Sequence, residues 1–350
     1  MLKVGLIGCG FVAEKYHMPC YLMFDDVKVA AVCDINKGRL RKFGQKFAIK
    51  NQFERITDLL SYKDIDFVDI CTPGFLHFRH CMKVIQYGKN VLVEKPIALS
   101  SKQAHEILNR SRKVDIKVGV VQNYRFHDPI IELKKKISEG LIGRIISSTV
   151  IQHGGSIFDQ PFWLWNENVS GGILYEFGFH AIDLQTYFMG PHKRIVGLIS
   201  KYNPHLQLTT SIQALVEYQN GSSGFLDITY FSSSQFLSLN LYTTTIDATV
   251  KFFPDSLTLK IGEWPPLQEL LGDLKRFYKF AKAVLRNRYK INSLMPHYRA
   301  IKAFKSSLIK DEPPPVAIED VIPTMKFLEE VKSKLRRSKL NWQPSHRSPR

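Results

Sequence analysis

Three short stretches carry side chains able to do acid–base or phosphate chemistry. In Gly171-Gly172-Ile173-Leu174-Tyr175-Glu176-Phe177-Gly178-Phe179-His180-Ala181-Ile182-Asp183, Glu176, His180 and Asp183 fall at i, i+4 and i+7. A helix there puts all three on one face. Leu174, Phe177, Ala181 and Leu184 supply the apolar side. A carboxylate one turn from a histidine orients the imidazole and favours its protonated form. The trio could also hold a cation, but no second histidine cluster accompanies it, and acid–base work is preferred to metal binding. The bland alternative is a satisfied polar helix face.

Lys95 is the second candidate. It stands in Val93-Glu94-Lys95-Pro96, which closes a short Val-rich run. In an open α/β sheet the C-terminal ends of strands face the ligand crevice, so a lysine there meets nicotinamide and substrate. Pro96 holds the preceding pair extended and admits a cis bond. A surface Glu-Lys pair is the alternative, and the strand-end position argues against it.

The third is Gly8-Cys9-Gly10-Phe11-Val12-Ala13, a G-x-G-x-x-A turn between the first strand pattern and a helical one. Gly8 permits the tight turn, Gly10 lets the backbone approach a pyrophosphate, and Ala13 allows close helix–strand packing. The helix N-terminus then presents free N–H groups to phosphate. Asp34 ends the next strand, where an acid accepts the adenosine ribose hydroxyls. Its charge would repel a 2′-phosphate and favours NAD. Lys37 and Arg39 could clamp that phosphate if their loop turned inward, which keeps NADP open, though a solvated basic loop is the preferred reading.

The elements that position these groups are legible around them. Lys3–Ile7, Val27–Cys33, Phe67–Cys71, Val91–Glu94 and Lys117–Gln122 are apolar runs suited to strands buried on both faces. Helical patterns at Phe78–Tyr87 and Lys102–Val114 lie between them, which predicts a doubly wound parallel sheet over residues 1–125. From about Arg144 the pattern changes. A helical stretch near Leu174–Phe188 precedes strand-like runs at Arg194–Ile199, Ile212–Tyr218, Gly224–Tyr230 and Phe236–Tyr242, joined by turns such as Asn220-Gly221. Helical patterns return near Pro296–Ile309 and Ile318–Leu335. The expectation is α/β: a Rossmann domain (1–125), an α+β domain with an open, mostly antiparallel sheet (126–337), and a basic, disordered tail (338–350).

The three segments and their order resemble the Gfo/Idh/MocA family of nicotinamide-dependent oxidoreductases. The resemblance covers nearly the whole chain. It includes Gly8–Ala13, Thr72-Pro73 with His77, Glu94-Lys95-Pro96, Asn123-Tyr124-Arg125-Phe126, and the Gly-Gly…Gly-x-His-x-x-Asp segment. It implies that Thr72, Pro73, His77, Glu94, Lys95 and Asn123 border the cofactor along with the glycine turn and Asp34. It also implies that Lys95, Glu176 and His180 line the catalytic pocket, and that the open sheet mediates a homodimer or homotetramer. Tyr124, Arg125 and Trp163 are pocket-wall candidates, with an interdomain ion pair the alternative for Arg125. The family usually has Asp where this chain has Glu176, one methylene longer, which bears on substrate choice.

The leading expectation is an NAD(P)-dependent dehydrogenase or reductase acting on a secondary alcohol or ketone of a sugar, polyol or nucleotide sugar. His180 serves as base and Lys95 as alkoxide stabiliser, roles the two could exchange. A non-catalytic NAD-binding regulator is one alternative; a redox-neutral, NAD-using epimerase or glycosidase is another. Composition limits the partners. At 350 residues the chain carries 44% apolar and 23% charged residues, a globular balance. Its net charge of +17 is local: residues 267–290 and 332–350 together contribute +12. These segments lack an aromatic-interleaved surface, a zinc pattern or a helix-turn-helix, which argues against nucleic acid. Residues 267–290 have an amphipathic spacing, read as core packing in preference to membrane-surface contact. The local charge leans the reading towards an anionic substrate such as a nucleotide sugar. Five cysteines without a C-x-x-C, no apolar run of spanning length, and a strand pattern starting at Leu2 point to a reduced, cytoplasmic protein.

Overall fold

The computed structural model describes residues 1–154, 164, 166–167, 169–203, 206, 208–230, 232–233, 235–252, 255–260, 278 and 289–340. The first six strands are β1 (Leu2–Ile7), β2 (Val27–Cys33), β3 (Asn51–Phe53), β4 (Phe67–Ile70), β5 (Asn90–Glu94) and β6 (Val118–Val121). They form one parallel sheet in the order β3-β2-β1-β4-β5-β6, the order of a dinucleotide-binding fold. Its central strands are apolar because helices cover both faces. Val4, Leu6, Val68, Ile70, Val91 and Val93 are fully buried. Crossovers between parallel strands run through helices such as Gly74–Gln86 and Ser101–Lys113. Ser100 caps the latter by accepting from the Gln103 N–H.

The second sheet holds seven strands: β7 (Ile145–His153), β8 (His192–Asn203), β9 (Leu208–Tyr218), β10 (Ser223–Thr229), β11 (Phe236–Thr243), β12 (Asp247–Phe252) and β13 (Ser256–Lys260). The order is β13-β12-β11-β7-β10-β9-β8. Every pairing is antiparallel except β7 with β10, which is parallel. One face packs on the helix Phe179–Met189 through Val150, Ala214, Leu226, Leu239 and Val250. The other is open, and a row runs across it from Leu215 through Phe225, Thr149 and Asn240 to Thr249.

Of the two C-terminal helices, one ties the sheets together. Ile318–Leu340 buries Ile318, Val321 and Ile322 in the first core and Met325, Phe327, Leu328 and Val331 in the second. It runs three residues into the tail expected to be disordered. Lys and Arg in its last turns are good helix formers that favour a helix C-terminus. Residues 341–350 lie outside the described residues. Tyr289–Ile309, grouped with the second domain from its position in the chain, packs instead on the first sheet through Ala300, Ile301 and Phe304. There the Phe304 ring occupies the place a Cβ on Gly119 of β6 would need, 2.5 Å away, so that strand position requires glycine. The 267–288 stretch lies outside the described residues, Tyr278 excepted.

Candidate active site

The glycine turn leaves β1 with Gly8 at φ +96°, and a Cβ there would stand 2.8 Å from the Cys71 carbonyl group. A side chain is excluded both by strain and by the neighbouring backbone. Gly10 differs: a Cβ would meet no protein atom within 4 Å. The protein's own packing does not demand glycine at this position, whereas close approach of a pyrophosphate does. The turn therefore fits a dinucleotide. Phe11 is exposed beside it, Val12 is half-buried, and Ala13 is buried against the sheet.

Asp34 is buried at the end of β2. It accepts from the Cys9 N–H at 2.9 Å and the Asn36 N–H at 2.8 Å, and pairs with Arg39 Nε at 3.0 Å. Its carboxylate thus ties the glycine turn to the following loop. Arg39 reaches this carboxylate with its side chain half exposed, and Lys37, more exposed still, pairs with Glu54 at 3.0 Å. The basic loop preferred from sequence as solvated is exposed at both residues, each of which also meets a carboxylate.

At the end of β5 the Lys95–Pro96 bond is cis. Lys95 Nζ donates to the Glu176 carbonyl oxygen at 3.0 Å and pairs with Glu176 Oε2 at 3.3 Å. These side chains are only 13% and 15% exposed, so the pair is shielded enough to matter. Thr72 follows β4, with its hydroxyl 3.0 Å from His80 Nδ1, and Pro73 caps the helix Gly74–Gln86. His77 is buried, with Nδ1 2.7 Å from the Pro96 carbonyl and Nε2 2.6 Å from the Thr72 carbonyl. His77 thus stands between the two loops, donating to one of these carbonyls.

Glu176 and His180 do not share a helix face. Ile173–Glu176 is a single turn, and Gly178 then leads into Phe179–Met189. The Glu176 carboxylate goes to Lys95, because a shielded ammonium is a stronger partner than a neutral imidazole. The expectation that it orients and protonates His180 is therefore corrected. The His180 ring packs on Tyr124 with centroids 4.2 Å apart, and its Nδ1 is buried without a partner among the described residues. Burial first, then the charges of Lys95, His297 and His127, push its pKa well below the usual histidine value. A neutral imidazole can accept a proton, as a base must.

Asp183 belongs to a different cluster. Arg125, 7% exposed, grips it with Nε at 2.9 Å and a terminal nitrogen at 2.7 Å, and Thr324 donates to it at 3.1 Å. Of the two sequence readings for Arg125, the geometry takes the ion pair. Its guanidinium also stacks on Tyr187, 4.6 Å from the ring centroid. Asn123 and Tyr124 open the 3-10 turn after β6. Trp163 lies outside the described residues.

Behind Lys95 is a buried network that the sequence reading missed. His17 places Nδ1 2.7 Å from Asp69 and Nε2 2.9 Å from Glu94. Tyr21 donates to the same Asp69 oxygen at 2.8 Å. Burial opposes a charge on His17, yet Asp69 lifts its pKa well above the usual value. Burial likewise works against the Glu94 carboxylate, but the His17 hydrogen bond takes its pKa down to about 2. The Lys95 N–H donates to the other Glu94 oxygen at 3.1 Å, so the network fixes the backbone that carries Lys95. His17, Glu94 and His297 also bring ligand atoms within 4.8 Å of one another. His17 bonds a carboxylate through each nitrogen, so hydrogen bonding accounts for the placing of His17 and Glu94.

Residues 2–122 match the NAD-binding Rossmann domain of the Gfo/Idh/MocA oxidoreductase family, and residues 130–247 match the family's C-terminal domain. The chain belongs to this family. Among curated Gfo/Idh/MocA relatives, a D-apiose dehydrogenase of Paraburkholderia graminis is 26% identical over 232 residues, 66% of this chain and 61% of that protein. A D-glucoside 3-dehydrogenase of Escherichia coli is 27% identical over 194 residues, 54% of each chain. Both alignments span less than two thirds of the relative's length. The fold is shared almost end to end with solved structures. The WlbA dehydrogenase of Bordetella pertussis, in complex with NADH and UDP-GlcNAcA, superposes with a TM-score of 0.82 at 19% identity, covering 96% of both chains. A 3-ketoreductase of Actinomadura kijaniata, in complex with NADP and TDP-benzene, gives 0.78 at 19% identity, covering 95% of this chain and 97% of that one. In this chain the glycine turn follows β1 and Lys95 follows β5, both at the C-terminal edge of one parallel sheet. Glu176 supplies the partner for Lys95.

Proposed function

We propose that this protein is an NAD(P)-dependent dehydrogenase or reductase acting on a secondary alcohol or ketone of a sugar, polyol or nucleotide sugar. The observation that carries the reading is the convergence of an ammonium, Lys95, and a neutral imidazole, His180, beside a strand end that follows a dinucleotide turn. When bound, the nicotinamide supplies the hydride chemistry. The protein handles the proton. His180 takes it from the substrate hydroxyl in oxidation and returns it in reduction. Lys95, held by Glu176, hydrogen-bonds the same oxygen and stabilises its developing negative charge. Glu94 and His17 fix the Lys95 backbone, and Tyr124 sets the plane of His180. The names of the curated relatives, sugar dehydrogenases, support a carbohydrate substrate.

Arg39 on Asp34 leaves a cation beside a carboxylate at the ribose end, so we propose NAD with NADP as a usable second cofactor. The open face of the second sheet carries Leu215 and Phe225, 48% and 39% exposed, as directly paired neighbours, with Ile199 and Tyr242 also exposed. We place a homodimer or homotetramer contact there. The five cysteines are free and buried, with burial raising every thiol pKa, which supports residence in a reducing compartment such as the cytoplasm. No helix among the described residues is long and apolar enough to cross a membrane. The deciding experiment follows nicotinamide absorbance with NAD and NADP across polyols, free sugars and nucleotide sugars. A substrate-dependent rise is expected. No rise, with cofactor binding intact, would transfer the assignment to a regulator or a redox-neutral enzyme.

A further inference from the structure

Arg125 borders a cavity that no role assigned above uses. Its volume is about 780 Å³, within the range that holds a small organic molecule. Its walls come from the helices Asp128–Ser138, Phe179–Met189 and Ile318–Leu340 and from the chain just before the last of these. The middle helix packs on one face of the second sheet, so the cavity lies on the helix side of that sheet. A contact between copies at the open face leaves it uncovered. Ile131, 43% exposed, and Pro315 supply apolar surface.

Two cations in this cavity share one ring. The Arg125 guanidinium lies 4.6 Å from the Tyr187 centroid and Lys134 Nζ lies 4.5 Å from it. The ring attracts each, but the like charges repel. Arg125 is matched by Asp183. Lys135 pairs with Glu139 at 3.6 Å, and Glu319 pairs with Arg112. Lys134 differs. It has no carboxylate at ion-pair distance among the described residues, and its ammonium rests on the rings of Tyr187 and Phe188. Burial, then the charge of Arg125, lowers its pKa, the mark of an ammonium that an opposite charge would stabilise. Asp320 accepts from the Ala317 N–H at 2.8 Å and keeps its negative charge at the cavity. One added negative charge at Lys134 is therefore favoured, while Asp320 and Glu319 oppose a second.

We propose that this cavity is a second small-molecule site, separate from the cofactor cleft, and that it binds a monocarboxylate with a compact apolar body. The carboxylate pairs with Lys134, and the body lies against Ile131 and Pro315. Lys95 and His180 are not among the walls, so the site does not depend on the dehydrogenase reading. It does adjoin the mounting of the base, because Arg125 shares its 3-10 turn with Tyr124, on which His180 packs.

The test uses cyclohexanecarboxylate as probe, its amide as the neutral counterpart, and sulfate as a dianionic competitor. Each is added to the full chain saturated with NADH, so that the cofactor cleft is filled, and binding is read by ligand-observed NMR. The acid should bind, and the amide at least about tenfold more weakly, the worth of one charge-assisted hydrogen bond. Lys134→Gln should weaken the acid about tenfold, whereas Lys134→Arg, which keeps the charge, should hold it within about threefold. Ile131→Glu gives an independent check. It lies three residues before Lys134 on the same helix, so its carboxylate would pair with that ammonium and abolish binding. Both positions are exposed, and urea midpoints and NADH affinity should match wild type. Equal binding of the acid by wild type and Lys134→Gln overturns the site. So does an amide that binds as tightly as the acid, displacement of the acid by an equal concentration of sulfate, or an acid that does not bind. None of these outcomes bears on sugar turnover, which is read separately.

Discussion

Replacing Lys95 by Met should slow the reaction about 100-fold, and the same geometry predicts that a second substitution gives part of the loss back. Lys95 Nζ lies 3.3 Å from Glu176 Oε2. With the substrate oxygen at hydrogen-bond distance from Nζ, about 3 Å, the ammonium stabilises a full alkoxide by about 5.5 kcal/mol at an effective dielectric of about 20. The carboxylate, about 6 Å from that oxygen, opposes it by about 2.8 kcal/mol. If about half a charge develops in the transition state, Lys95→Met costs about 2.8 kcal/mol, or about 10² in kcat. The single variant also leaves Glu176 repelling the alkoxide with nothing to offset it. Adding Glu176→Gln removes that repulsion, so the double variant should turn over about tenfold faster than Lys95→Met alone, though about tenfold slower than wild type. Steady-state nicotinamide absorbance reads kcat, and NADH fluorescence should report an unchanged cofactor affinity. Turnover within about threefold of wild type in Lys95→Met, or a double variant slower than the single, would refute the electrostatic role of the pair.

Arg125→Met should destabilise the fold by about 3 kcal/mol or more, because it strands the Asp183 carboxylate in the interior; urea unfolding reads this, and KM for the sugar should move by less than about threefold. Stability should fall as pH drops from about 6.5 towards 4: burial takes the pKa of His297 and of His80 down to about 4 and that of His180 well below its usual value, so at each the unfolded chain binds a proton the folded one refuses, at about 1.4 kcal/mol per pH unit per group. His17, lifted above its usual value, is protonated in both states across that window and adds no slope. Thermal melts of His297→Phe should show a flatter pH dependence there. Phe225→Glu on the open sheet should shift the sedimentation profile towards monomer without changing NADH affinity, and an unchanged assembly would place the contact elsewhere. Arg39→Glu should weaken NADP more than NAD, by about tenfold or more in KM, since it replaces a cation beside the ribose by a second carboxylate.

How much of this could be read from the chain depends on the range over which each interaction acts. The Rossmann half was legible because its signals are local: an apolar strand, a glycine turn and an acid at the next strand end. β3 escaped because Asn51–Phe53 is three residues with no apolar run, and β7 because Ser and Thr dilute its alternation. Lys95 and His180 were legible as members of compact motifs, but the partners of the charged groups were not. The i, i+4 rule joined Glu176 to His180, whereas the fold joins it to Lys95, 81 residues away. That rule holds only along an unbroken helix, and here a turn at Gly178 intervenes. Arg125 meets Asp183 across 58 residues, and His17 meets Asp69 and Glu94 across 52 and 77. At such separations spacing carries no information. A buried charge takes whichever opposite charge the strand order delivers, and the order β1-β4-β5 delivers Asp69 and Glu94 side by side beneath His17. His297 is the extreme case. Its helix shows an apolar stripe in the sequence, but a stripe states that a face is buried and not against what. The docking of Ala300, Ile301 and Phe304 brings that helix to the first sheet, and with it an imidazole against Tyr16 and His17.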